Sequence, residues 1–493
     1  MLFNSHEFIF LFLPFSFFVY FYLNKKKLVN VGKVWLVFSS LFFYSWWDIN
    51  YLPLILGSIL FNYVIGRSLY QHSYLLKKGL ISRRIILIFG IVVNLSLLGY
   101  FKYVDFFIEN INYTFGTDIN IINLTLPLAI SFFTFQQITY LVDSYKKEIE
   151  GYNLLNYAVF VTFFPQLIAG PIVHHSEMMP QFSSIRNKVK NYRNIMMGLF
   201  IFSIGLFKKV ILADTFSVWA TNGFDIAETL NLIEAWLTSL SYTFQLYFDF
   251  SGYADMAIGL ALLFNIKLPI NFNSPYKALN IQDFWRRWHM TLSRFLKEYI
   301  YIPLGGNRGG DFRTYNNLLA TFVIGGIWHG AGWMFALWGL IHGVAIITHR
   351  LWNLTTIKLP SVLAWFITFN FINITWVFFR AKDWDSAHKV LSSMFSLDNL
   401  ALPRVLENKM YFLSEYGFRF GGFIENIEYV NKGVFSSLTI FFYFIVGLII
   451  ITCFKNTNNY KPRMGIQFLA SSLIALIAIT ATGKEVEFLY FNF

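Results

Sequence analysis

The chain is a succession of long apolar runs parted by short, mostly basic loops. The first run, Phe8 to Leu23, leads into Lys25, Lys26 and Lys27. Others fall near 33–47, 51–66, 85–101, 124–142, 195–212, 232–250, 252–272, 316–334, 335–349, 361–380, 434–454 and 465–483. Crossing a bilayer as a helix takes about 20 apolar residues, so the pattern predicts about a dozen transmembrane helices. Residues 154–172 are apolar too, but Pro165, Gly170 and Pro171 interrupt them. Broken backbone is tolerated at membrane depth only where protein or a cavity surrounds it, which predicts a re-entrant segment there.

Composition fixes the class. Of 493 residues 56% are hydrophobic, 20% aromatic and only 13% charged, an apolar excess that excludes a soluble globular domain. The expectation is an all-α, polytopic integral membrane protein forming a single membrane domain over 1–493. No basic residue precedes the first run and three follow it, the reverse of a cleavable signal peptide, so the run is retained as a span. Lysine and arginine gather on the cytoplasmic side. The loop with Arg67, Lys77, Lys78, Arg83 and Arg84 and the segment Tyr276 to Arg313 therefore read as cytoplasmic, and Lys208 and Lys209 as charges near a span end. Both termini then lie outside, as do the 376–433 loop and the 484–493 tail. The formal charge of +12 follows from this orientation and from attraction to anionic membrane lipid, with no need of nucleic acid. The single cysteine, Cys453, sits in an apolar run and excludes a disulfide framework or thiolate metal centre. No metal ligand set is expected.

Candidate chemistry lies between 283 and 330. Phe284, Trp285, Trp288, Leu292, Phe295 and Leu296 recur at helical spacing, with Arg286, Arg287, Arg294 and Lys297 between them. They predict one amphipathic helix carrying His289, with a cationic face suited to lipid headgroups or to the phosphates of a coenzyme A thioester. Tyr301 to Gly310 is a glycine-rich turn. The apolar run from Leu318 then carries Trp328 and His329 among Gly325, Gly326, Gly330 and Gly332. Small neighbours admit a helix or a substrate, and a neutral imidazole can activate a hydroxyl as general base. A histidine bonded across helices for packing is the other reading of either residue.

These motifs together resemble the membrane-bound O-acyltransferases, in particular the bacterial branch with the alginate and peptidoglycan O-acetylation membrane subunits. The resemblance runs over nearly the whole chain. It rests on 126–136 (LPLAISFFTFQ), 163–172 (FFPQLIAGPI), 247–257 (YFDFSGYADMA), Trp285 to His289, Tyr301 to Gly306 and Ile327 to Gly330. It implies a ring of helices around a thin centre, with a funnel open to the cytoplasm. His329 matches the family's catalytic histidine and His289 its second polar position, with Trp285, Arg286, Arg287, Trp288, Trp328 and Asp249 near substrate or donor. Asp249 and Asp255 also admit a helix-capping role around a break at Ser251-Gly252. The resemblance further makes Tyr490, in the tail Phe488 to Phe493, a residue that accepts the acyl group with His329 as base and hands it to an extracytoplasmic esterase-like partner; an interfacial aromatic anchor is the alternative.

The expected function is transmembrane O-acetyl transfer, from acetyl-CoA as donor substrate and with no bound cofactor, to a cell-envelope polysaccharide, in the bacterial inner membrane. The alternatives are D-alanyl transfer from a carrier protein to teichoic acid, a transporter using its histidines as a proton relay, and a scaffold for a secreted esterase.

Overall fold

The computed structural model describes residues 1–70, 82–147, 153–396, 401–402, 407–416, 418–420, 437–459, 464–480 and 488–489. Among the described residues it is all-α but for a parallel pair of two-residue strands, Ala401–Leu402 with Arg419–Phe420. Six helical stretches among the described residues are long and apolar enough to cross a membrane: Glu7–Lys25, Ile49–Tyr70, Arg83–Phe115, Tyr192–Ile226, Trp333–Trp352 and Ser361–Arg380. Val29–Ser45 and Ile440–Cys453 are apolar but shorter. The predicted interruption within 154–172 is realised as two short helices, Leu154–Thr162 and Phe164–Leu167, with non-helical backbone after them.

Two expectations are corrected. The spans read at 232–250 and 252–272 are one helix, Leu232–Leu263, of 32 residues and about 48 Å. Ser251 and Gly252 do not break it, which removes the capping role considered for Asp249 and Asp255. A Cβ on Gly205 would come within 2.5 Å of the Gly252 carbonyl oxygen, so this stretch serves close helix packing. Lys208 and Lys209, read as charges at a span end, are buried in a π-helical turn, Lys208–Ala213, of the continuous run Tyr192–Ile226.

The chain divides into two compact units: residues 1–207, 252–271 and 461–493, and residues 208–251 and 272–460. Neutral amides hold the first unit's interior. Asn62 and Asn94 donate to one another at 3.1 and 2.7 Å, Gln137 donates to Ser58 at 3.0 Å, and Tyr157 donates to Gln137. The second unit has an aromatic interior. Its Asp311–His329 and Trp333–Trp352 helices form a hairpin whose backbones touch where a side chain would collide: a Cβ on Gly326 would lie 2.3 Å from the Phe335 oxygen, and one on Gly339 2.4 Å from the Phe322 oxygen. That approach sets the position of His329 at the end of the first helix.

Candidate active site in the second unit

The predicted amphipathic helix is two helices, Ile281–Arg287 and Met290–Leu296, broken at Trp288-His289. Asn280 caps the first, its side chain accepting from the Asp283 N–H at 2.8 Å. His289 has φ +42° and ψ +53°. An L-residue with a bulky side chain enters this left-handed region only when its surroundings impose it. The turn takes His289 out of the helical register and into the interior, where its exposure is 0%. Phe250 packs edge-on against the imidazole, with centroids 4.8 Å apart.

His329, also buried, meets Trp328 at 4.9 Å, Trp338 at 5.4 Å and Phe379 at 5.1 Å. Trp328 also reaches His289, at 6.4 Å. The two predicted histidines therefore share one indole as a wall, although 40 residues separate them in sequence. Trp288 lies beside them, stacked on Phe284 at 5.6 Å and against Trp376 at 5.1 Å. Burial pushes the His289 imidazole down to about 3, because a charged ring there would lose its water. His289 is thus neutral near pH 7.

The other predicted residues divide by exposure. Arg286 is exposed. Arg287 is half-buried, paired with Asp283 at 2.9 Å and donating to the Asn273 carbonyl, so part of its cationic capacity is spent on local structure. Asp249 is buried and paired with Lys209 at 2.7 Å, while Lys209 also meets Asp214 at 2.8 Å. The glycine-rich segment is a turn, with positive φ at Gly305, Gly306, Gly309 and Gly310. Phe488 is buried and packs edge-on to Tyr253 at 4.7 Å within the first unit. Tyr490 lies outside the described residues. Among the described residues no cluster of three metal-ligating side chains occurs.

Sequence reasoning missed His342. Its Nδ1 accepts from the Trp285 indole N–H at 3.2 Å, and its Nε2 lies 3.1 Å from the Thr375 hydroxyl, which itself donates to the Ile372 carbonyl at 2.9 Å. An indole N–H only donates, so Nδ1 is unprotonated; the Thr375 proton is committed to Ile372, so Nε2 carries a hydrogen and donates. His342 is locked as one neutral tautomer and pins Trp285 between two helices. The available signal was its setting: like His329, it stands in an apolar run beside small residues, Gly339 and Gly343. The Lys209 triad was missed because its members are distant in sequence.

The site is thus a pair of buried imidazoles, with His289 neutral near pH 7, in an aromatic enclosure of the kind that suits group transfer away from water. A sequence model of the MBOAT, membrane-bound O-acyltransferase family, matches residues 133–381. The chain is 49% identical to the peptidoglycan O-acetyltransferase of Helicobacter pylori over 532 aligned positions, covering 100% of this chain and 98% of that one. It is 39% identical to the probable alginate O-acetylase AlgI of Pseudomonas aeruginosa, over 82% of this chain and 77% of the relative. The teichoic acid D-alanyltransferase of Bacillus subtilis is 27% identical over 54% of this chain and 71% of its own. The chain belongs to the membrane-bound O-acyltransferase family. It is a membrane acyltransferase.

Proposed function

We propose that this protein moves acetyl from a cytoplasmic thioester, acetyl-CoA, across the bacterial inner membrane for O-acetylation of a cell-envelope polysaccharide. The observation that carries the reading is the pairing of His289 and His329 on either side of Trp328 in a family member whose high-identity relative acetylates peptidoglycan. His329 is the general base. His289 is too weak a base for that role, since general-base efficiency falls as the pKa drops far below the working pH; it holds substrate or the acceptor hydroxyl by hydrogen bonding. Trp285, Trp288 and Trp328 exclude water. Arg286 and Arg287 receive the anionic donor at the mouth of the site, and Asp249 acts through Lys209 to support the Phe250 wall of His289.

The acceptor oxygen attacks the thioester carbonyl as its proton passes to His329. Collapse of the tetrahedral intermediate breaks the C–S bond, and the leaving thiolate takes that proton. In this reading Tyr490 is the first acceptor, with a tail outside the membrane, and an extracytoplasmic esterase-like protein carries acetyl on to polymer. Relatives named for acetylation match far more of the chain than those named for D-alanylation, which favours acetyl as cargo.

The test is base-labile acetate on purified envelope polymers from cells expressing wild-type, His329→Ala or Tyr490→Phe protein at matched membrane levels. Loss in both variants is expected. Loss in His329→Ala alone removes the tyrosine relay and keeps the enzyme, and wild-type acetate in His329→Ala overturns the catalytic assignment.

A further inference from the structure

Trp338 is 1% exposed, and its indole Nε1 has no hydrogen-bond partner among the described residues. Four other indoles of the same unit are satisfied. Trp285 donates to His342, Trp365 to the Tyr276 carbonyl at 2.8 Å, Trp376 to the Tyr276 hydroxyl at 3.3 Å and Trp236 to the Met394 carbonyl at 3.0 Å. Leaving a buried donor unpaired costs about 1–3 kcal/mol, and a native orphan of this kind calls for a role.

The neighbours narrow that role. Trp338 is walled by Trp285, Trp376 and Phe379, which offer no lone pair, and by two histidines, His342 at 4.7 Å and His329 at 5.4 Å. His342 cannot accept, because Nδ1 is taken by Trp285 and Nε2 carries the hydrogen given to Thr375. The acceptor for Trp338 must therefore come with the chemistry at His329, whose ring it meets at 89°. Carbonyl addition creates an acceptor there. As the hydroxyl oxygen bonds to the thioester carbon, the carbonyl electron pair moves onto oxygen, and a donor already in place stabilises that charge without reorganising.

We infer that the Trp338 indole N–H donates a hydrogen bond to the acyl carbonyl oxygen during transfer at His329, which makes Trp338 a catalytic residue. The bond is strongest to the alkoxide of the tetrahedral intermediate and weakens as the C–S bond breaks and the carbonyl re-forms. This rests on His329 as the transferring base. His342, by fixing Trp285 against the same indole, is a positioning residue for it.

The experiment uses membranes from expressing cells, which supply the natural acceptor, and radiolabelled acetyl-CoA as donor. Initial rates of base-labile label entering polymer are measured against donor concentration for wild-type, Trp338→Phe, His329→Ala, and protein carrying 3-benzothienylalanine at 338. That residue keeps the bicyclic shape and replaces the N–H with sulfur. Both 338 variants are expected to lose about 10- to 100-fold in maximal rate, with the acetyl-CoA concentration at half-maximal rate changed less than about twofold. A wild-type maximal rate in the benzothienylalanine protein overturns the inference, as does a loss confined to the half-saturating concentration. If that rate is wild-type while His329→Ala is inactive, the base assignment stands and only the Trp338 role falls; activity in His329→Ala defeats the underlying reading instead.

Discussion

The two units differ in the polar groups that dominate their interiors. In the first, Asn62, Asn94, Ser58, Gln137 and Tyr157 bond to one another across helices. These are neutral groups whose hydrogen bonds join helices in an apolar setting. In the second, imidazoles and ion pairs are buried among aromatic rings, two of the histidines share an indole wall, and the Trp338 indole donor has no partner among the described residues. Similar composition thus yields amide and hydroxyl bonding between helices in one region and a histidine-lined aromatic enclosure in the other. A buried imidazole alone does not separate them, since His175 is enclosed by Tyr140 and Phe160 in the first unit; the second is set apart by two histidines on one indole and by the Trp338 donor beside them.

The strongest test of this contrast is Lys209→Met. It leaves buried Asp249 and half-buried Asp214 without their shared cation, and breaking a buried pair from one side costs about 3–5 kcal/mol. The variant is expected to fall to a small fraction of wild-type membrane abundance, with Lys209→Met/Asp249→Leu recovering part of it; normal abundance and thermal stability for the single variant would show that the triad holds nothing.

A smaller loss is expected for His342→Leu, which orphans the Trp285 N–H for about 1–3 kcal/mol. His342→Gln supplies an oxygen acceptor and an N–H donor, so it should restore both melting temperature and acetyl transfer. Failure of Gln to rescue transfer would move His342 from positioning into proton chemistry. In the first unit, Asn62→Leu should cost about 1 kcal/mol and lower the melting temperature, while transfer per folded molecule stays at wild-type. Loss of transfer per molecule there would erase the distinction between the units.

A further effect, read only on acidification, is an acid slope. His289 titrates near 3 in the folded protein against about 6.5 unfolded. Between those values the unfolded chain binds the extra proton, so stability is full above about pH 6.5 and declines as pH falls toward 3. His289→Gln should flatten the decline measured by melting temperature between pH 7 and 5; an unchanged slope would mean the imidazole does not contribute it.

The sequence made much of the helical plan legible, because runs such as 361–380 and 434–454 end where structural helices end, at Arg380 and Cys453. It also marked His289, Trp328 and His329 as one neighbourhood. It could not show the break at His289, since Trp288 to Leu296 keeps helical periodicity and only packing forces the left-handed turn. The basic pair at 208 and 209 looked like a cytoplasmic edge for a related reason: charge counting sees lysines along the chain but not Asp249, which neutralises Lys209 from another helix. His342 carried the same local signature as His329, and only the bonds to Trp285 and Thr375 show that it is a locked histidine.

In the proposed function the aromatic enclosure of His329 performs the acyl transfer. The most direct measurement is release of free thiol from acetyl-CoA by purified wild-type and His329→Ala protein in lipid nanodiscs, with a soluble carbohydrate hydroxyl as acceptor. The account predicts at least about a 100-fold lower rate for His329→Ala, with its melting temperature kept; thiol release at the wild-type rate would contradict it.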